Sequence, residues 1–199
     1  MGCWHVPNRF FEEMRNAGIE VRSFLKVRFP LFTSRVNYRN HRKIVVIDGR
    51  IGFVGGMNLA ERYMRGFSWG IWRDTHILIE GKAVHGLQTA FLLDWYFVDR
   101  TLITASRYFP KIESCGSSLV QVVTSEPIGP WKEIMQGLTM AINGAKKYFY
   151  MQTPYFLPTE QVLAAMQTAA LAGVDVRLML PERADNRITH LGSHSYLAD

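Results

Sequence analysis

Residues 41–58 read His41-Arg42-Lys43-Ile44-Val45-Val46-Ile47-Asp48-Gly49-Arg50-Ile51-Gly52-Phe53-Val54-Gly55-Gly56-Met57-Asn58. A strongly apolar run over 43–47 meets Asp48-Gly49, and a second apolar run follows over 50–54. Asp-Gly between two such runs is the composition of a two-residue hairpin turn. This stretch is therefore expected to fold as strand, turn, strand. His41 and Lys43 are two apart at the mouth of the first strand, so both side chains leave the same face. A neutral imidazole can attack a phosphorus atom while a neighbouring ammonium neutralises the phosphate oxygens. Gly55 and Gly56 let the backbone approach an anion closely, and the Asn58 amide can donate to the same phosphate. Asp48 has a second reason to be present, because the turn itself favours Asp.

Outward from this hairpin, α- and β-type patterns alternate. Upstream, residues 7–17 read as a helix with Phe10, Phe11, Met14 and Ala17 on one face and Gly18 as its stop. A strand is expected over 19–24, then a Pro- and Arg-bearing loop to about Asn40. Downstream, 75–79 reads as a strand and 82–98 as a helix, with Val84, Leu87, Phe91, Trp95 and Val98 at helical spacing. Residues 102–118 look irregular. Strand 119–123, helix 131–143, strand 148–152, helix 162–172 and strand 174–180 follow in order. The sequence Ala17-Gly18-Ile19-Glu20-Val21-Arg22 is echoed by Ala172-Gly173-Val174-Asp175-Val176-Arg177. Each copy lies where a helix is expected to hand over to a strand, with Gly as the stop. The echo reads either as two uses of one common junction or as pieces of two related α/β units.

The 199 residues have room for one ordinary domain or two small lobes. With 48% hydrophobic and 20% charged residues, disorder is excluded as the main state. No apolar stretch approaches the ~18 residues of a membrane span, and the amino terminus does not have the pattern of a signal peptide. Cys3 and Cys115 are far apart and form no C-x-x-C pair, which argues against a disulfide framework and a cysteine zinc site. The net charge is +6, and residues 1–60 carry all of it, with ten basic groups against four acids. Such an excess is either a solvated basic face or the footprint of an anionic partner: nucleic acid, a phospholipid headgroup or an acidic membrane surface.

The spacing His41-x-Lys43, Asp48, Gly55-Gly56-x-Asn58 resembles the HKD motif of the phospholipase D superfamily at all six fixed positions. The chance of such a match is on the order of 10⁻⁶ to 10⁻⁵. The resemblance implies an α/β fold with a mixed β-sheet flanked by helices, His41 and Lys43 as catalytic residues, and Asp48 in a largely architectural role. An attacking histidine needs a partner that fixes its tautomer. Asp74, in Trp72-Arg73-Asp74, stands where superfamily members place that acid. Lys43, Gly55, Gly56 and Asn58 are the expected phosphate-binding set.

Residues 37–58, 72–81, 152–156 and 172–181 together look like bacterial cardiolipin synthases. That family, as the resemblance implies, has two HKD motifs in one chain, usually after membrane segments. It joins two phosphatidylglycerols into cardiolipin and glycerol through a phosphohistidine, and no metal or other cofactor is needed. The second motif is absent here, because neither His190 nor His194 has Lys two positions on. Their i, i+4 spacing fits a surface helix better than a metal pair, since H-E-x-x-H is not met. The expected organisation is a truncated first lobe over 1–105 with its motif at 41–58, a connector over 106–118, and the opening of a homologous second lobe over 119–199. The expected partners are phosphatidylglycerol, an anionic membrane surface and the missing half-site of the same chain, not nucleic acid. The expected location of the full-length protein is the bacterial cell membrane, reached through segments outside this sequence. Two other functions stay open: a superfamily phosphodiesterase acting on nucleic acid, and a non-catalytic lipid-binding module.

Overall fold

The computed structural model describes residues 6–24, 40–113, 115–126, 129–183 and 187–197. The chain divides into two compact units, residues 1–122 and 123–199. Both are α/β, and among the described residues each holds one small sheet flanked by helices.

The first unit opens with α1, Asn8–Asn16. Pro7 stands just before it, where its lack of an N–H costs nothing, and Gly18 ends it at φ +83°. The expected strand over 19–24 does not form. Arg22 instead donates to Asp99 and lies over the Trp95 ring, so side chains, not a backbone ladder, hold this segment. The hairpin does form, as β1 (Ile44–Ile47) and β2 (Ile51–Gly55). Asp48 and Gly49 both take positive φ, +52° and +65°, and Arg50 N–H closes the turn on Ile47 O at 2.9 Å. This is a type I′ turn. β3 (His76–Glu80) pairs antiparallel with β2, completing the order β1-β2-β3.

One face of this sheet carries Ile44, Val46, Gly52, Val54 and Ile79 and meets α3, Val84–Asp99. Val84 and Leu87 of α3 are fully buried there. Gly52 makes room for them, because a Cβ at that position would stand 2.6 Å from Leu87 Cδ1. Further along the expected apolar stripe, Phe91 is left partly exposed. The opposite sheet face carries Val45, Ile47 and Leu78, all exposed. A short helix, α2 (Arg62–Arg65), interrupts the path from β2 to β3 and was not anticipated by the sequence pattern. Residues 102–113 and 115–118 are irregular apart from a 3₁₀ turn at Ser106–Tyr108. The expected strand over 119–123 is absent. Its residues have no ladder partner among the described residues, and Val122 packs on Gly86 of α3 instead.

In the second unit, α4 (Glu133–Gly144) precedes β4 (Tyr148–Gln152), α5 (Glu160–Leu171) and β5 (Asp175–Met179). β4 and β5 are parallel, Tyr148 opposite Asp175 through Gln152 opposite Met179. Parallel strands need a crossover, which α5 supplies. Thr159 caps α5 by accepting from Val162 N–H at 3.4 Å. Ile142, Phe156, Val162, Ala165, Met166 and Ala169 form the core. α6 (Arg187–Ser195) follows, held in part by Ser193 Oγ accepting from Phe156 N–H at 2.9 Å.

Candidate functional site

All seven residues singled out for chemistry lie in the first unit, six of them at one end of its sheet and Asp48 at the other. The register shows how they assemble. Ile44 faces Val54, and Gly55 faces His76. Beyond the ladder ends, the chain continues from Gly55 into Gly56, which meets Thr75 and the Asp74 carboxylate. His41 precedes β1 and Asp74 precedes β3, so the antiparallel order brings both to the same end of the sheet.

His41 is exposed, and its imidazole makes no hydrogen bond with any described residue. Lys43 Nζ donates to the His41 carbonyl at 2.7 Å, which draws the ammonium back beside the histidine. Asp48 sits in the hairpin turn, at the far end of β1 from His41 and Lys43. Gly55 and Gly56 press against β3. A Cβ on Gly55 would collide with the Thr75 carbonyl and stand 2.7 Å from His76 Cα, and one on Gly56 would collide with the Asp74 carboxylate. Gly56 N–H also donates to Thr75 O at 3.0 Å. The glycine pair is therefore needed for close backbone approach inside the sheet edge.

The expected hydrogen bond between Asp74 and His41 is not formed. Asp74 Oδ1 accepts from Thr75 N–H at 2.7 Å and lies against Gly56. This local turn holds the carboxylate at the sheet edge with the imidazole still open. Asn58 donates to Tyr63 Oη at 3.0 Å, leaving its second amide hydrogen for another acceptor. Burial works against ionising Tyr63, yet the Asn58 hydrogen bond and the Arg62 guanidinium together outweigh it and lower the phenol below its ordinary range.

Several neighbours of this edge were not visible in the motif. Asn40 and Arg42 flank His41, and both are tied to Asp94 of α3. Asn40 Nδ2 donates to Asp94 Oδ2 at 2.9 Å, the Arg42 guanidinium donates to Asp94 Oδ1, and Arg42 N–H donates to Asn40 Oδ1 at 2.8 Å. Alternation then sends His41 and Lys43 to the other side of the strand. His76, opposite Gly55, has a buried Nδ1 with no partner among the described residues. No sequence spacing signals these contacts, since they join residues some fifty positions apart.

Elsewhere, His190 and His194 lie one turn apart on α6 with ring centroids 4.2 Å apart. No group of three metal-ligating side chains occurs among the described residues. No helix among them is long and apolar enough to cross a membrane. Cys115 is exposed, and Cys3 lies outside the described residues.

Comparison with known proteins agrees with this arrangement. The chain is 42% identical over its whole length to a cardiolipin synthase of Geobacillus thermodenitrificans. It is 40% identical to one of Listeria innocua and 40% identical to cardiolipin synthase 2 of Bacillus cereus, again over its whole length. Along its whole length this chain is similar to one part of these cardiolipin synthases. The family model described as "Cardiolipin synthase, PLD-like domain" matches residues 138–198, within the second unit. The chain spans about 40% of the length of these curated relatives. Matching to cardiolipin synthases extends through both units, so the first unit, with its His41–Asn58 string, is homologous to part of such a synthase as well.

Proposed function

We propose that this chain provides the first half-site of a phosphatidyltransferase that joins two phosphatidylglycerols into cardiolipin with release of glycerol. The observation that carries the reading is the His41–Asn58 string folded onto one sheet edge, in a chain related throughout to cardiolipin synthases. In this reading residues 1–105 belong to a first phospholipase D-like lobe and 119–199 to the start of a homologous second one. The site works on a phosphodiester at a membrane surface, and a second His-x-Lys motif completes it.

The chemistry follows from the groups at the edge. A ring nitrogen of neutral His41 attacks the phosphorus of one lipid, the N–P bond forms, and the bond to the glycerol oxygen breaks. The proton for the departing alkoxide comes from the second motif's histidine. The hydroxyl of a second phosphatidylglycerol then returns its proton to that base and displaces His41, giving cardiolipin. Lys43 and the free amide hydrogen of Asn58 neutralise the phosphate oxygens as charge builds on them. Asp74, at the same end of the sheet as His41, stabilises the imidazole once its positive charge develops. Such hydrogen bonds are commonly long or misaligned before substrate binds and tighten afterwards.

The test is a turnover assay on phosphatidylglycerol with the purified 199-residue chain beside a longer chain that includes a second His-x-Lys motif. The short chain should be inactive and the longer one active. On the longer chain, a ³²P-labelled lipid phosphate should remain on the protein, base-stable and acid-labile, and vanish with His41→Ala. Full activity of the short chain, or label surviving in His41→Ala, would overturn the assignment.

A further inference from the structure

Between Gly56 and Thr75 the chain leaves the sheet and returns, so this excursion begins and ends at the candidate site. It is built rigidly. Phe67 and Gly70 exchange backbone hydrogen bonds of 2.8 and 3.1 Å, forming a tight tip, and Gly66 enters it at φ +72°. The Phe67 and Trp69 rings stack with centroids 5.0 Å apart, and Trp72 meets Phe67 edge-on at 5.4 Å. The Arg62 guanidinium lies 5.1 Å from the Tyr63 ring centroid and 5.9 Å from that of Trp72. Tyr63 in turn receives the Asn58 hydrogen bond. This framework holds large apolar side chains in solvent. Leu59 is fully exposed, Ile71 is 89% exposed, Met64 85%, and Trp69 43%. Arginines stand among them, Arg65 and Arg73 both exposed, and Glu61, the one acid of residues 59–73, is paired with Arg65 at 2.9 Å.

Scattered exposed aliphatic residues are ordinary, but this many on one short excursion form a patch that calls for a partner. Arginine and tryptophan interleaved with protruding aliphatic side chains is the chemistry of an anionic lipid interface. There, apolar tips enter the acyl boundary while guanidinium groups meet phosphates. We infer that residues 59–73 are the surface on which this unit docks to an anionic bilayer. Leu59, Met64, Trp69 and Ile71 enter the interface, and Arg65 and Arg73 contact headgroups. Because the excursion is anchored at Asn58 and Asp74, docking brings lipid phosphodiesters to the sheet edge without their leaving the membrane. The inference rests on the proposed lipid substrate for its purpose, and adds the surface that delivers it.

The experiment is flotation of the purified 199-residue chain with unilamellar vesicles of phosphatidylcholine alone or mixed equally with phosphatidylglycerol. Binding should require phosphatidylglycerol. Leu59→Ser with Ile71→Ser should lower the partition coefficient by about tenfold or more. Arg65→Gln and Arg73→Gln should each lower it about fivefold. Leu171→Ser, at a similarly exposed position in the second unit, should leave it unchanged. Brominated lipid should quench the parent's tryptophan emission, and Trp69→Phe should remove most of that quenching. An unchanged partition in the Leu59/Ile71 variant, or an equal loss in Leu171→Ser, would overturn the inference. So would a Leu59/Ile71 variant that turns a dimer into a monomer by sedimentation velocity while still binding vesicles, since the patch would then serve a second copy. Flotation requires no turnover. An inactive chain that still docks through residues 59–73 would therefore leave this inference standing while the proposed reaction fell.

Discussion

His41 and Asp74 come to one end of the sheet through three strands, not through adjacency in the chain, and the missing side chain of Gly56 leaves room for the carboxylate. Gly56→Ala places a methyl group against the Asp74 carboxylate, so the carboxylate or the strand end must move. In an enzyme completed by its second motif, this variant should lose at least tenfold in kcat, since displacements near 1 Å can cost 10²-fold. Steady-state kinetics on phosphatidylglycerol, with circular dichroism to verify folding, checks this. Asp74→Asn should lower kcat roughly 10²–10⁴-fold with little change in thermal midpoint, and unchanged turnover would remove Asp74 from the reaction. Asp48 makes the opposite forecast. Its φ of +52° suits Asn as well as Asp, so Asp48→Asn should keep both fold and turnover. Asp48→Val should cost about 1–2 kcal/mol of stability, because a β-branched side chain resists that backbone region. Chemical denaturation of the three proteins measures the difference.

At the level of elements, α3 does two jobs for the hairpin. Val84 and Leu87 seal the sheet face, and Asp94 holds the backbone on both sides of His41 through Asn40 and Arg42. Asp94→Ala should therefore act on geometry. In the completed enzyme kcat should fall roughly 10–10²-fold with KM little changed, and Asp94→Glu should restore part of it. A rise in KM alone would assign Asp94 to lipid binding instead. Near the C-terminal end of the same helix, Arg22 donates to Asp99 and, with Thr101, lowers its carboxyl below the ordinary value of 3.8. A depressed carboxyl stabilises the fold above its unfolded pKa and loses that contribution as pH falls through its native one. Asp99→Asn should thus have a lower thermal midpoint than the parent at neutral pH, with the gap closing progressively below pH 3.8. A gap that persisted at lower pH would show that the pair contributes through packing.

For the whole molecule, the question is how a single His-x-Lys motif participates in a reaction that needs both a nucleophile and a proton donor. The departing glycerol alkoxide is a strong base, since its alcohol ionises only far above neutral pH, so unassisted departure is slow and a positioned acid contributes roughly 10²–10⁴-fold. The 199-residue chain spans about 40% of the relatives it matches. Joining it to a segment with a second His-x-Lys motif should raise turnover on phosphatidylglycerol by at least that factor. Mixing equal amounts of His41→Ala and parent short chains offers a control, because rescue there would mean that two copies share their histidines.

The hairpin, its type I′ turn, the glycine helix stops and the run of β4, α5 and β5 were legible because each rests on local chemistry. Asp-Gly tolerates positive φ, apolar residues recur at strand or helix spacing, and glycine leaves a helix without steric cost. The candidate site was legible for the same reason, since His41, Lys43 and the Gly55–Gly56–Asn58 run lie within one short stretch. What the sequence did not decide was which extended segments find partners. Gly18 and Gly173 stop their helices with nearly the same φ, +83° and +86°. Only the second copy of the echoed hexapeptide becomes a strand, because β4 offers it an edge. The first copy has no such edge among the described residues, and Arg22 goes to Asp99 instead. A strand is a property of two segments, and long-range pairing also brought Asp74 to the same end of the sheet as His41, with Asp94 tied to the residues on either side of the histidine.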